Sequence, residues 1–183
     1  MVKPGAFAPV VVAGDEDPWG STKRSYKEKI GEFKLMSGAR GSEFSGLADS
    51  ELASVRVIEE GPVRVVVEAL FEYNDSSCIL RYRIPRAGKS FDLDVEVNWR
   101  EKNRMLKLAI PSAFEDAALL GQVAFGTEVL PTNGDELVTQ RWQAITSAQS
   151  ALAVIDDGVY GSDFADGELR ITLLHGPIYS ALH

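Results

Sequence analysis

The side chains best placed for chemistry are three carboxylates, Asp92, Asp94 and Glu96, which occupy alternate positions of one segment. In an extended strand such residues point to one face, with neighbours about 7 Å apart. Carboxyl groups about 5–9.5 Å apart can share the acid and nucleophile or base roles of glycoside hydrolysis. However, Leu93 and Val95 fill the intervening positions, which is typical of a strand with one buried face and one solvent-exposed face. We therefore interpret the three carboxylates as solvent-facing and predict no catalytic residue in the chain.

Histidine is scarce, which bears on metal chemistry. The two histidines, His175 and His183, lie near the C-terminus, and catalytic zinc needs about three protein ligands. We predict no metal or cofactor site. Calcium could take oxygen ligands from the acidic segments 156–158 and 163–168, but their order does not match an EF-hand loop and turn chemistry is favoured. His175 is interpreted as a strand-end side chain, with contact to a sugar or another domain as the alternative.

Aromatic side chains are the remaining candidates for ligand contact. Trp19 follows Asp17-Pro18 in an irregular segment and is the tryptophan most expected to be exposed. Trp142 follows Arg141 in an alternating run and could face either way. The candidates for substrate binding or for lining a cleft are Trp19, Trp142, Tyr160 and His175.

Composition excludes several functions. The chain has 183 residues, a net charge of −8 and a single cysteine, Cys78, and its pI is near 4.8. A surface that binds nucleic acid needs clustered Lys and Arg, which this balance opposes. No segment reaches the roughly 20 apolar residues of a membrane span, and no signal peptide is recognisable. A lone cysteine cannot form an internal disulfide, so we expect a reducing, cytoplasmic location and no membrane partner.

Hydrophobic periodicity divides the chain near residue 50. Residues 1–50 are predicted to be a linker or approach segment, with a possible short helix at 21–36 that begins at Ser21 and carries Tyr26, Ile30 and Phe33 at helical spacing. Residues 51–183 alternate apolar and polar positions between turn signals, which predicts a mainly β fold, an antiparallel β-sandwich with at most one or two short helices. The side chains expected in its core are Val65, Val67, Phe71, Leu93, Val95, Val97, Leu108, Ile155, Ile171 and Leu173.

Six short motifs occur in a fixed order between residues 61 and 174. They are Gly61-Pro62-Val63-Arg64, Met105-Leu106-Lys107-Leu108 with Pro111, Phe125-Gly126, Arg141-Trp142, Tyr160-Gly161 and Leu173-Leu174. Each is weak alone, and the ordered set resembles the β-sandwich region of glycoside hydrolase family 38, the retaining, zinc-dependent α-mannosidases. Relatives usually carry Arg and Ser where this chain has His175 and Gly176.

The resemblance implies a galactose-mutarotase-like supersandwich, incomplete relative to the family's domain, that is non-catalytic and inactive alone. The zinc ligands and the aspartate nucleophile would lie in an N-terminal catalytic domain outside this sequence. The expected partners are that catalytic domain, a carbohydrate bound by the full-length enzyme and, through an exposed apolar patch or sheet edge, a second copy in a homo-oligomer. The sandwich would scaffold the active-site cleft of an enzyme that acts on α-mannosides.

Two other functions stay open at this point. An independent carbohydrate-binding module would need an exposed aromatic platform. A mutarotase-like sugar epimerase would need a histidine and a carboxylate acting as acid and base, and two histidines within the last nine residues make it the weaker alternative.

Overall fold

The computed structural model of the chain describes residues 3–14, 23–47 and 50–177. Within them antiparallel strands predominate and there is one short helix, so the predicted mainly β fold is confirmed. The elements are β1 (Ala8–Ala13), β2 (Lys29–Glu32), β3 (Lys34–Leu35), α1 (Gly38–Phe44), β4 (Val55–Glu60), β5 (Arg64–Tyr73), β6 (Ser76–Pro85), β7 (Asp92–Asn98), β8 (Arg104–Pro111), β9 (Ala118–Val123), β10 (Gly126–Leu130), β11 (Leu137–Val138), β12 (Trp142–Thr146), β13 (Ala151–Ile155), β14 (Gly161–Ala165) and β15 (Glu168–Gly176).

The chain forms two compact units. Unit 1 comprises Met1–Glu32 and Lys102–His183, and unit 2 is the intervening segment Phe33–Glu101. Unit 1 contains a six-stranded sheet in the order β11-β14-β15-β8-β1-β2 and a four-stranded sheet in the order β10-β9-β12-β13. The first strand, β1, lies in the segment before residue 50 and pairs with both β8 and β2, so that segment supplies an interior strand of unit 1.

The two sheets of unit 1 pack face to face. On the six-stranded sheet, Leu106 and Leu169 are fully buried, and on the four-stranded sheet Leu119 and Ile145 are fully buried. Between the sheets, the buried Ser162 hydroxyl donates to Gln143 Oε1 at 2.7 Å. This arrangement is a β-sandwich, whose core lies between the inner faces of two sheets.

The strand β8 is buried along almost its whole length. Every residue from Met105 to Ile110 is buried, because β15 and β1 flank the strand and both faces of the sheet are covered at this point. A strand buried on both faces is expected to be continuously apolar. Lys107 breaks that expectation, and its side chain is fully buried.

Unit 2 is built around the antiparallel meander β5-β6-β7, with β3 and β4 both paired to the other edge of β5. The β5–β6 hairpin turns through Asn74 and Asp75, and Asn74 has a positive φ of 49°, which asparagine tolerates better than most residues. The helix α1 begins after Ser37, whose hydroxyl accepts a hydrogen bond from Arg40 N at 3.2 Å. A Cβ on Gly41 would come within 3.1 Å of Ser54 Oγ, so the close approach of α1 to Ser54 favours glycine.

The helix predicted at 21–36 is wrong over the described part of that range. Lys29–Glu32 is a strand, and it pairs with β1 so that Gly31 lies opposite Val11. Glycine weakens a helix interior, and cross-strand pairing decides the conformation here. The helical segment instead covers Gly38–Phe44, further along the segment that is predicted as a linker. The proposed N-cap, Ser21, lies outside the described residues.

The predicted core is partly correct. Leu108 and Ile171 are buried as expected, whereas the predicted residues of β7, together with Val65, Val67, Phe71 and Leu173, are half-buried. The prediction that Ile155 is buried is wrong, because this side chain is 80% exposed at the end of the edge strand β13.

Candidate functional site

Four charged side chains meet on the outer face of the six-stranded sheet. Lys107 lies on β8, Asp163 on β14 and Arg170 on β15, and Glu136 immediately precedes β11. The register places Asp163 opposite Arg170 and Thr172 opposite Lys107, so these residues project from the same face. We refer to Lys107, Glu136, Asp163 and Arg170 as the charge cluster.

Asp163 is the centre of the charge cluster. Its Oδ2 accepts from Lys107 Nζ at 2.7 Å, and its Oδ1 lies 2.7 Å from the Arg170 terminal nitrogen Nη2 and 2.9 Å from Arg170 Nε. Lys107 also forms an ion pair with Glu136. The Lys107 and Asp163 side chains have no solvent exposure, so each charge depends on its partners for stabilisation.

The segment 23–28 covers part of this face. Arg170 Nη2 donates to Tyr26 O at 3.5 Å, and the Tyr26 ring packs near His175 with a centroid distance of 5.9 Å. Tyr26 also forms a buried apolar cluster with Val12 and Met105. The charge cluster is therefore continuous with a buried aromatic contact that fixes segment 23–28 to the sheet.

The loop before β11 is held from the same side. Glu136 N donates to Arg24 O at 2.7 Å, and Lys27 Nζ donates to Asn133 O at 2.7 Å. Together with the Glu136–Lys107 ion pair, these contacts join the loop to segment 23–28 and to β8. Two irregular segments thus acquire fixed positions on a rigid sheet.

Glu136 is the partly exposed carboxylate of the charge cluster. Burial raises the pKa of its carboxyl above the usual value, and this effect outweighs the lowering caused by the Lys107 charge and hydrogen bond. Asp163 also raises the Glu136 pKa by like-charge repulsion, while Arg170 lowers it. The cluster has two cations and two carboxylates that neutralise one another, so its geometry suits positioning better than proton transfer.

A second buried carboxylate lies in unit 2. Glu68 on β5 accepts from Arg56 Nη2 and Arg81 Nε, each at 2.7 Å. Burial alone would raise the Glu68 pKa, but the hydrogen bonds and charges of the two arginines outweigh it and lower the pKa. The Glu68 carboxylate is thus paired with two arginines on the sheet.

Two carboxylates of β7, Asp94 and Glu96, form ion pairs across the sheet. Asp94 is paired with Arg83 at 2.6 Å, and Glu96 with Arg81 at 3.1 Å, both from the neighbouring strand β6. Both carboxylates are substantially exposed, as expected for the solvent-exposed face of a half-buried strand. Cross-strand pairs of opposite charge are a common way to stabilise such a face.

The predicted cleft candidates do not come together at one described site. Trp142 is half-buried at the start of β12, Tyr160 is 54% exposed before β14, and His175 is half-buried beside Tyr26. Trp19 lies outside the described residues. Their roles in substrate binding stay predictions.

Exposed apolar side chains occur on the outer side of the four-stranded sheet. Val129 is opposite Leu120 in the register, and Ile155 is opposite Trp142, which places all four on the side facing away from the six-stranded sheet. Val129 and Ile155 are both mostly exposed. This is the kind of surface expected to associate, and the oligomeric state stays a prediction.

The charge cluster was not among the sites predicted from the sequence. A usable signal was present, because Lys107 lies within the apolar run Met105 to Ile110, and Arg170 lies between Leu169 and Ile171. A charge inside a run that is buried on both faces requires a partner of opposite charge. The identity of that partner depends on the sheet order, which local sequence does not specify.

Within residues 3–14, 23–47 and 50–177, no group of three or more His, Cys, Asp and Glu side chains is arranged to hold a metal ion. Asp163, considered above for calcium, is instead paired with Lys107 and Arg170. In the same part of the chain, no helix has the length and apolar character needed to cross a membrane.

Comparison with known proteins identifies the class to which this sandwich belongs. Residues 25–182 match the model of the glycosyl hydrolases family 38 C-terminal domain. The chain belongs to this family, which confirms the resemblance inferred from the six ordered motifs.

A curated relative is similar over much of the chain. Alpha-mannosidase G of Dictyostelium discoideum is 22% identical over 139 residues, which cover 67% of this chain and 12% of that protein. The chain therefore spans about an eighth of the length of the relative it matches.

Proposed function

We propose that this chain is the non-catalytic β-sandwich part of a family 38 α-mannosidase, where it scaffolds the active-site cleft of an enzyme that acts on α-mannosides. The family match over residues 25–182 carries this proposal, and the name of the Dictyostelium relative supports it. Hydrolysis, and any zinc that it requires, would belong to a different domain.

The charge cluster supports the scaffolding role. It fixes segment 23–28 and the loop that contains Asn133 and Glu136 on a sheet whose central strand is buried on both faces. Loops positioned by a rigid framework are the usual way in which a sandwich domain contributes to a neighbouring site. Buried ion pairs of this kind hold geometry because a shifted partner leaves a charge unpaired in a low-dielectric interior.

The pairing of four carboxylates also supports a non-catalytic role for this chain. A retaining glycosidase needs one carboxyl group as acid and a second as nucleophile, both facing the sugar. Asp94 and Glu96 pair with arginines across the sheet, while Asp163 and Glu68 are buried between cations. These four carboxylates are therefore unsuited to that chemistry.

The proposal is tested by assaying the purified chain with an aryl α-mannoside, with and without added zinc. We expect no turnover above that of a heat-denatured sample. The matched controls are the Asp94→Asn and Glu96→Gln variants, which should behave like the parent chain. Turnover that co-purifies with the folded chain and is lost in either variant would refute the non-catalytic assignment.

A further inference from the structure

The strand β13 forms an open edge of the four-stranded sheet in unit 1. On one side it pairs with β12, from Trp142 opposite Ile155 to Thr146 opposite Ala151. No other strand within the described residues pairs with its free side. The pairing with β12 has no register shift, so β13 is regular over its five residues. A regular edge strand presents backbone N–H and C=O groups to which another strand can bind.

Hydrogen bonds at the two ends of the β12–β13 ladder define which backbone groups are directed outward. Ser147 N donates to Ser150 O at 2.8 Å just before β13, and Asp156 N donates to Arg141 O at 2.9 Å just after it. Hydrogen-bonded and non-hydrogen-bonded pairs alternate in an antiparallel ladder. Every second residue of β13 therefore directs its N–H and C=O groups away from β12, and all of these outward-directed residues have exposed side chains. They are Ala151, Ala153 and Ile155.

The side chains of β13 also suit contact with another strand, because all five residues are apolar. Leu152 and Val154 face the core of the sandwich, since they lie opposite the fully buried Ile145 and Gln143. They are nevertheless only half-buried, because they lie at the edge of the sheet. A neighbouring strand would cover both side chains and remove their apolar surface from water.

The other edge strands of the described sheets have features that hinder pairing. The strands β3 and β11 have two residues each, and β4 has a register irregularity where it meets β5. The strands β2, β4, β7 and β10 each include a charged residue. Short length, bulges and charges are the usual means by which proteins keep sheet edges apart. Among the strands that the structure describes, β13 is thus the edge that combines useful length with regular pairing and no charge.

We propose that β13 pairs in antiparallel fashion with β13 of a second copy of this chain, which joins two copies in a homodimer. The register that uses all the outward-directed groups places Ala153 opposite Ala153 of the partner subunit, on the two-fold axis. Ala151 then lies opposite Ile155 of the partner subunit, and Leu152 lies opposite Val154 of the partner subunit on the core side. The same surface is used by both copies, as a closed two-fold dimer requires.

The charges near β13 are compatible with this register. Asp156 and Asp157, which follow the strand, would face Ser150 and Gln149 of the partner subunit, so like charges are not opposed. This matters because each copy has a net charge of −8 and the two copies repel each other at long range. Two five-residue strands bury less than the roughly 1,200 Å² of a small standard interface, so we expect a dissociation constant on the order of 10–100 μM.

Sedimentation equilibrium of the full chain from about 1 μM to about 500 μM tests the proposal, because this range brackets the expected dissociation constant. We expect the average mass to rise from the 20.0 kDa of the single chain towards that of a dimer and to level off there. Levelling off is expected because each copy has one β13 edge and pairing occupies it. A mass of 20.0 kDa at every concentration, or a mass that passes the dimer and continues to rise, overturns the proposal.

Charge variants at the two-fold axis test the register. Ala153→Lys and Ala153→Glu each place like charges directly opposite one another, so each should weaken the dimer about tenfold. An equimolar mixture of the two variants places opposite charges there and should restore the affinity to within about threefold of the parent chain. The restored affinity also shows that both variants are folded. Val129→Lys is the matched control, since Val129 is 72% exposed on β10, the opposite edge strand of the same sheet, and it should leave the affinity unchanged.

Each remaining outcome contradicts the proposed pairing. A dimer that neither Ala153 variant weakens uses a different surface. A dimer that both variants weaken but that their mixture does not restore has a different register. A dimer that Val129→Lys weakens as strongly as Ala153→Lys uses the face of the sheet instead of its β13 edge. Because these measurements record mass alone, their outcome is independent of the mannosidase assay.

Discussion

Replacing Asp163 by asparagine should cost far more stability than its size suggests. The substitution keeps the shape of the side chain but removes the charge that faces Lys107 at 2.7 Å and Arg170 at 2.7 Å. Lys107 would keep the partly exposed Glu136 as its partner, and Arg170 would keep a hydrogen bond to Tyr26 O at 3.5 Å. Removing one member of a buried ion pair typically costs about 3–5 kcal/mol, and we expect a loss in that range.

Two further variants calibrate the Asp163 result. Lys107→Met should cost less, because Asp163 keeps Arg170 and the new side chain packs in an apolar strand. Asp157→Asn removes the partner of Arg141 in a pair whose side chains are 61% and 91% exposed, and it should cost less than about 1 kcal/mol. The predicted order of destabilisation is therefore Asp163→Asn, then Lys107→Met, then Asp157→Asn.

Equilibrium unfolding in urea measures these differences, provided that the slope m is unchanged between variants. Trp142 lies in unit 1 and reports on its unfolding, and a Trp99→Phe background removes the fluorescence of the tryptophan in unit 2. A loss for Asp163→Asn no larger than that for Asp157→Asn would refute the view that the charge cluster stabilises the sandwich.

Three other perturbations have definite expected results. The pKa of Glu136 is raised in the folded chain, so this residue binds its proton more tightly there than in the unfolded state. Its contribution to the free energy of unfolding therefore falls as pH rises through the interval between the two pKa values. Glu136→Gln should reduce this pH dependence in urea titrations at several pH values, and an unchanged pH dependence would contradict the assignment. Burial raises the pKa of the Cys78 thiol to about 12, so a thiol reagent should label it only after unfolding, and rapid labelling of the native chain would show that the site is open. Leu108→Ala should cost about 2–4 kcal/mol, and Val95→Ala clearly less because Val95 is half-buried, so equal losses in urea would argue against the two burial states.

The fold class could be predicted from local sequence, because period-two alternation and turn residues are properties of each segment alone. The buried residues of β5 could not be predicted in the same way. Val65, Val66 and Val67 are consecutive apolar residues, so they do not show which alternate residues of β5 face the core. The predicted core residues Val65, Val67 and Phe71 follow from treating Glu68 as a solvent-facing side chain. In the structure Glu68 is buried between Arg56 and Arg81, and the buried residues of β5 are Val66, Glu68, Ala69 and Leu70, so buried side chains occur on both faces of the strand. A charge that a single strand appears to place in solvent is thus buried by an ion pair formed across strands.

The candidate site was missed for a similar reason. Lys107 and Arg170 are visible as charges within apolar runs. Arg170 lies only seven residues from Asp163, on the β14–β15 hairpin. Lys107, however, is 29 residues from Glu136 and 56 from Asp163, and it reaches them only because β14, β15 and β8 are neighbours. The helix expected at 21–36 failed because Gly31 pairs with β1, a contact that periodicity within the segment does not reveal. In both cases the deciding partner is distant in sequence.

The division of unit 1 into two chain segments has a consequence for the order of folding. Val11 pairs with Leu106, about 95 residues further along the chain, whereas Tyr73 and Ser76 pair across a two-residue turn. Closing the longer loop costs more chain entropy, and contacts between distant residues slow folding. We therefore expect the β5–β6 hairpin to form first and β1 to join its sheet late, and pulse-labelling hydrogen exchange that protected the β1 amides before those of β5 would contradict this order. On a ribosome, β1 would be synthesised before β8 and would wait for it before the two strands could pair.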